Sequence, residues 1–207
     1  MTIRKGAEWG TLQPAPADLV TVTSDAELRS LVVAARSGGE ALPAIGLLGG
    51  DLMRTVGGTA EASRFTSGEP VPNLPVDIVE VRADDGRTSC FVAHLVARRS
   101  WWRGPLTAAM NAQFLGTWDV APRSHPNDGK VDVVTAAAEL SLQQRWLARK
   151  RVLLGVHVPH PHITIRQQST ATLRFEHSTP VWLDGERWGN ASTLELMVVA
   201  DALVVCV

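Results

Sequence analysis

The chain has 207 residues, 45% of them hydrophobic, and a formal net charge of −1; it is long enough to bury a core without staples and too evenly charged for a broad nucleic-acid footprint. No apolar run reaches the roughly 18 residues of a membrane span, and Met1 to Gly6 lacks the apolar core of a secretion signal, so a cytoplasmic protein is expected. Cys90 and Cys206 stand alone in apolar stretches and read as core thiols, which excludes a disulfide framework.

Residues 1–17 read as irregular. Asp18 to Thr23 reads as a short buried strand rich in β-branched residues. Ser24 and Glu27 make a capping-box pattern ahead of Leu28, Leu31, Val32 and Ala35, which recur at helical spacing until Gly38 and Gly39. Ala44 to Leu48 is a second strand, broken by Gly49 and Gly50, and Asp51 to Val56 is a second short helix. This β-α-β-α run is the grammar of a parallel sheet. Residues 58–74 look like a loop punctuated by proline. Strands then dominate. Residues 76–81 alternate, Asp84 to Arg87 is a hairpin turn signal, and 88–96 would be the partner strand. Further strands are expected at 130–135, 161–167, 171–177, 180–183 and 194–206. Ser141 to Arg151, with Leu142, Trp146 and Leu147, reads as a short amphipathic helix. The expected class is α+β: a small α/β unit over residues 1–75, then a larger antiparallel β-sandwich lobe over 76–207 whose last strands can return to the first unit.

Several constellations could carry chemistry. Asp184-Gly185-Glu186 is first of all a hairpin turn, because Asp tolerates and Gly favours positive φ; it is also a pair of carboxylates able to take a proton from a hydroxyl. Asp128, with His125 close by, lies in a polar loop that could be plain turn chemistry or an oxygen-ligand cation site. His157, His160 and His162 follow a path that Pro159 and Pro161 hold extended, so structural or surface histidines are favoured over a metal site. Arg98, Arg99, Trp101, Trp102 and Arg103 join cations to indoles, either as a packed surface loop or as a transient membrane-surface contact. Gly49, Gly50 and Asp51 end a strand and open a helix, where backbone N–H groups can face an anion. The apolar last strand, if it lay on a sheet edge, could pair with a second copy in a homodimer.

Taken in order, these motifs resemble the diacylglycerol kinase and sphingosine kinase superfamily, including its bacterial lipid kinases. Asp51-Leu52-Met53-Arg54 is similar to that family's Asn-Asp-Phe-Ala-Arg segment. Ala121-Pro122 followed by Asn127-Asp128-Gly129-Lys130-Val131-Asp132-Val133 is similar to its "AP…DDGLLDV" segment, and Leu183-Asp184-Gly185-Glu186 to its late Asp-Gly-Glu turn. The resemblance implies a lipid-kinase-type fold in which the first part of the nucleotide domain is missing, leaving residues 1–75 as an α/β remnant. It implies Asp184 as general base toward a lipid hydroxyl with Glu186 in support. Asp25, Gly49, Gly50, Asp51 and Arg54 would lie on the nucleotide and phosphate side, and Asp128 at a magnesium site whose second acidic position is His125 here.

The departures from the family pattern bear on ATP. Thr23 to Glu27 takes the place of the family's Gly-Gly-Asp-Gly-Thr loop, and only the aspartate survives. Side chains at Thr23, Ser24 and Ala26 would crowd a phosphate. Glu27 would set a charge against it, at about 4 kcal/mol for a pair ~4 Å apart before screening. Magnesium is compatible with the remaining carboxylates, whereas ATP in the family's usual pose is disfavoured. The expected function is that of a non-catalytic lipid-kinase-like protein that binds a lipid-like or phosphorylated ligand or a protein partner. The alternative is an active ATP-dependent lipid kinase.

Overall fold

The structure is a computed structural model that describes residues 9–158 and 160–207. Met1 to Gly6 and Pro159 therefore lie outside the described residues. Thirteen strands and three α-helices follow in chain order: β1 (Thr11–Pro14), β2 (Val20–Val22), α1 (Asp25–Gly38), β3 (Ile45–Leu47), α2 (Gly50–Thr55), β4 (Pro70–Ala83), β5 (Thr88–Phe91), β6 (His94–Arg98), β7 (Leu106–Met110), β8 (Phe114–Leu115), β9 (Trp118–Asp119), β10 (Val131–Ala136), α3 (Leu142–Val152), β11 (Ile163–Gln168), β12 (Thr170–Leu183) and β13 (Glu186–Cys206). The architecture is the expected α+β class, with a mostly antiparallel sheet and few helices.

The α/β unit forms for local reasons. Ser24 caps α1 by accepting the Glu27 N–H at 3.2 Å. Glu27 turns back one residue beyond the expected box partner and accepts the Thr23 N–H at 2.8 Å. Gly39, in the left-handed region at φ 66°, ends the helix. Leu28 and Val32 pack with Val22, Ile45 and Leu52 in one buried cluster, to which Leu203 and Val205 of β13 also belong. β2 and β3 are parallel, and β3 then pairs in parallel with the end of β13, Val205 opposite Ile45. The last residues of the chain thereby return to its first lobe.

The main sheet runs β1-β4-β13-β12-β6-β7-β10-β11. Side-chain alternation at period two gives its central strands two apolar faces. Leu95, Ala97, Ala109, Val131 and Val133 enter the sandwich core with Phe91, Leu183 and Leu194. Their neighbours Val96, Ala108, Met110 and Val134 point the other way, into a second core that includes Leu140 and Ile163. Strands apolar on both faces need a cover on each, and α3 with the β8–β9 hairpin supplies the second one.

Four expectations are corrected. The stretches 1–17 and 58–74 are not wholly irregular: β1 pairs with the first residues of β4, which begins at Pro70. Pro70 and Pro72 are tolerated because their partner is a four-residue edge strand. The strand expected over 88–96 is broken at Val92-Ala93, where the backbone N–H groups turn to a carboxylate. The segments 171–177 and 180–183 are one strand, β12, with a register shift between Arg174 and Thr179. The last strand is not an edge: β13 lies between β4 and β12, so it offers no free ladder to a second copy.

The helix α3 departs from its expected orientation. Ser141 and Gln144 form a full capping box, but Leu142, Trp146 and Leu147 are exposed and Arg145 is the buried residue. Its guanidinium donates to the carbonyls of Leu140, Gly104 and Ala137, which pins the helix with its charge inward.

Candidate functional site

One charged cluster gathers residues from α1, α2, the β5–β6 break and the β12–β13 turn. Asp25, at the first turn of α1, is buried, and its carboxylate accepts the N–H groups of Asp51 at 2.6 Å and Leu52 at 3.1 Å. It thereby caps α2, which has no side-chain cap of its own at Gly49. Gly50 is required there: its φ is +95°, and a Cβ would collide with the Asp25 carboxylate. Burial pushes the Asp25 carboxyl up to about 6, against the two N–H donors.

Asp51 points from α2 to His94, whose Nε2 lies 3.1 Å from Asp51 Oδ2; the same oxygen accepts the Gly116 N–H at 2.8 Å. Burial works against the Asp51 charge, but those two hydrogen bonds hold its carboxyl below the usual range. His94 is buried as well, which opposes its charge, yet Asp51, Asp184 and Asp25 around it raise its pKa above the ordinary value. The three carboxylates thus favour the protonated form of the ring against its burial.

Asp184 sits at the tip of the hairpin, in the left-handed region at φ 48° and followed by Gly185 at φ 85°, the backbone of a tight two-residue turn. Its carboxylate is buried and accepts three backbone N–H groups: Val92 at 3.0 Å, Ala93 at 2.9 Å and His94 at 3.0 Å. Burial still raises its pKa. Glu186 extends outward and pairs with Arg29, which also donates to the Leu183 carbonyl. Arg29 follows Asp25 by four residues and so shares its face of α1, tying the helix to the turn. Arg54 donates to the Gly116 carbonyl at 2.6 Å and lies over the Phe114 ring at 3.8 Å.

Of the residues singled out in the sequence, Asp25, Gly50, Asp51, Arg54, Asp184 and Glu186 thus stand in one connected network, with Gly49 beside it, close against Thr23. Asp128 and His125 lie elsewhere. Asp128 accepts the Lys130 N–H in an Asx turn, His125 Nδ1 accepts the Asn127 N–H, and the His125 ring packs edge-on against Trp9 at 4.5 Å. The group that orders this loop is Asp77, which accepts the N–H groups of Gly129 at 2.8 Å and Asp201 at 2.9 Å. Of the basic-aromatic stretch, Arg98 stacks between Trp101 and Trp182 and Trp101 packs on Trp118, while Arg99, Trp102 and Arg103 are exposed.

Sequence reasoning missed His94, Arg29, Asp77 and Arg145. Arg29 was legible from its spacing to Asp25. His94 was hidden because a continuous strand through Val92 and Ala93 gives no reason for its ring to meet α2.

Asp25, Asp51 and His94 bring one donor atom each within 4.8 Å of one another. The set suits magnesium poorly. An imidazole is a weak magnesium ligand, both Asp25 oxygens already accept N–H groups, and the His94–Asp51 contact closes the remaining approach. Part of what a phosphate would use is also occupied. The N–H groups of Thr23, Glu27, Asp51 and Leu52, which flank the glycine-poor loop, each donate to a side chain of the chain itself.

A second feature lies under α3. A cavity of about 290 Å³ opens between the outer face of β7 and β10, α3 and the β8–β9 hairpin, walled by Ala108, Val134, Ala148, Trp118 and others, with Arg149 and Trp102 at its margin. His157 lines it and is buried. Neither ring nitrogen has a hydrogen-bond partner of good geometry among the described residues, although the Val120 carbonyl is near. Burial lowers its pKa, so the ring is neutral and offers one donor and one acceptor.

No curated protein matches the chain. Among the solved structures that share its fold are three described as diacylglycerol kinases of Bacillus anthracis str. Sterne, two of them provisionally. They are 13%, 16% and 14% identical to it with TM-scores of 0.65, 0.65 and 0.63, covering 91% of this chain each time and 77%, 77% and 75% of theirs. At such identities the likeness is one of fold. The match in sequence is to the family described as the YegS C-terminal NAD kinase beta sandwich-like domain, over residues 87–207. That span is more than half of the chain and holds the broken β5–β6 edge, the Asp-Gly-Glu turn and both apolar faces of the sheet; the chain belongs to this family, as the motifs at Asp51, Asp128 and Asp184 suggested.

Proposed function

We propose that this protein is a lipid-kinase-like binding module and not a phosphotransferase, and that it takes a lipid-like ligand with a hydroxyl or acidic head into the cavity under α3. The observation that carries the reading is the cavity itself. It is apolar, near the lower end of the usual size range for small-ligand sites, and it holds a neutral buried histidine whose polar atoms lack a partner of good geometry among the described residues. An apolar chain would fill the space between the sheet and Ala148, with its polar end toward His157 or Arg149.

The charged cluster supports the non-catalytic half of the reading. A general base needs a lone pair within reach of a substrate proton, and Asp184 is buried behind three N–H donors. Phosphoryl transfer needs a cradle for the phosphates, and four N–H groups at that place, those of Thr23, Glu27, Asp51 and Leu52, already donate to the chain's own side chains. The competing reading is an ATP-dependent lipid kinase. It has in its favour that Asp25, Asp51, Asp184 and Glu186 converge at one place.

The test offers the protein a monoacylglycerol or diacylglycerol together with labelled Mg-ATP and follows binding and transfer in the same sample. Saturable retention of the lipid without labelled product is expected. Labelled lipid whose formation disappears in Asp184→Asn would replace this proposal with the kinase reading.

A further inference from the structure

The surface of α3 is built the wrong way round for a helix that only covers a core. Its inward residues are Arg145, Ala148 and Val152, while Leu142 is 53% exposed, Trp146 48% and Leu154, just past its end, 75%. Leu147, Leu153 and Val156 are exposed beside them. Apolar side chains gathered in this number on one element mark an interaction surface.

The charges along α3 itself are all basic, with exposed Glu139 ahead of its cap and Asp119 beside Gly155 as the nearby acids. Arg149, Lys150 and Arg151 form the last turn of α3, and no acidic residue occurs between Glu139 and Glu176. Lys150 lies over the Trp146 ring at 3.7 Å and Arg149 lies 5.6 Å from the Trp102 ring. The exposed pair Trp102 and Arg103 is therefore on the same side of the molecule. Arg145 fixes this arrangement, because its guanidinium donates at once to the 101–104 loop and to the carbonyls ahead of α3.

We infer that α3 and the Trp102–Arg103 loop form a docking face for an anionic bilayer surface. Leucines and indoles would enter the headgroup boundary, and the lysine and arginines would meet lipid phosphates. No helix among the described residues is long and apolar enough to cross a membrane, so the contact is peripheral. The face stands on its own observations, since it is the outer surface of the helix whose inner surface walls the cavity.

The experiment is co-sedimentation of the full chain with vesicles of phosphatidylcholine alone, or of phosphatidylcholine with phosphatidylglycerol as roughly a third of the lipid. Binding is expected to the anionic vesicles only, and to weaken as added salt shortens the screening length from about 10 Å to about 3 Å. The triple variant Arg103→Glu, Lys150→Glu, Arg151→Glu should lower the partition coefficient by about a hundredfold or more. Leu142→Ser, Trp146→Ser, Leu154→Ser should lower it at least tenfold. All six positions are exposed, so an unchanged Tm will show that both variants fold. Ala148→Phe, which fills the cavity, should bind vesicles like the wild type, so a failed cavity proposal leaves this one standing. Equal binding by the wild type and both triple variants would overturn the inference. So would a wild-type dimer that the serine variant converts to monomer while the wild type ignores anionic vesicles.

Discussion

His94 shows how neighbouring carboxylates can favour charge on one buried side chain. Three carboxylates stand around it and favour its charged form, and its hydrogen bond and charge lower the Asp51 pKa against the cost of burial. The sign of its effect on stability follows from linkage. Its folded pKa is raised above the ordinary 6.5, so its contribution is complete below that pH and is lost as pH rises through the higher folded value. Asp25 acts in the same direction lower down: its carboxyl is raised from 3.8 to about 6, so folding loses stability as pH climbs through that window. The wild type should therefore lose Tm relative to His94→Gln as pH goes from 6.5 to about 8, measured as the difference between two thermal melts at each pH. Parallel profiles would mean that His94 is neutral in the fold. Arg29 and Glu186 differ although they form one ion pair. Arg29 is largely buried and bonds a carbonyl as well, so Arg29→Ala should cost about 2 kcal/mol in urea denaturation. Glu186 is mostly exposed and solvent screens it, so Glu186→Gln should cost under about 1 kcal/mol.

At the scale of elements, most of the fold was legible, and two of the departures show the physical causes most clearly. The capping residues Ser24 and Ser141 and the Asp184-Gly185 turn are local signals, and local signals survive folding. What the sequence does not display is where a strand is interrupted by a distant carboxylate. The run from Thr88 to Val96 is apolar and β-rich throughout, and only Asp184, some ninety residues later in the chain, breaks it by drawing off the N–H groups of Val92, Ala93 and His94. Likewise the leucines and tryptophan of α3 suggested an inward face, but the guanidinium of Arg145 has more carbonyls to satisfy than a leucine has surface to bury. The α2 element depends on Gly50, where φ is +95° and Asp25 lies against the missing Cβ. Gly50→Ala should unfold the α1–α2 corner first, with hydrogen exchange rising at the Asp51 and Leu52 amides before those of the sandwich. Uniform loss of protection across the chain would show that the corner and the sandwich unfold as one.

At the scale of the molecule, the sheet carries two apolar faces and each has a different destiny. One makes the sandwich core with Phe91, Leu183 and Leu194. The other is covered by α3 incompletely, and the incomplete cover is the cavity. The charged cluster, which the sequence marks most clearly, is tied up in its own hydrogen bonds, whereas the cavity under α3 is open, apolar and has no motif. That is why the family was readable from Asp51, Asp128 and Asp184 while the cavity was not. The most direct test of this account is a calorimetric titration of the wild type and Ala148→Phe with a soluble medium-chain fatty acid, followed by the same titration with Mg-ATP. The account predicts saturable binding of the fatty acid that Ala148→Phe abolishes at unchanged Tm, and no heat with Mg-ATP. Saturable Mg-ATP binding with fatty-acid binding absent, or indifferent to Ala148→Phe, would contradict it.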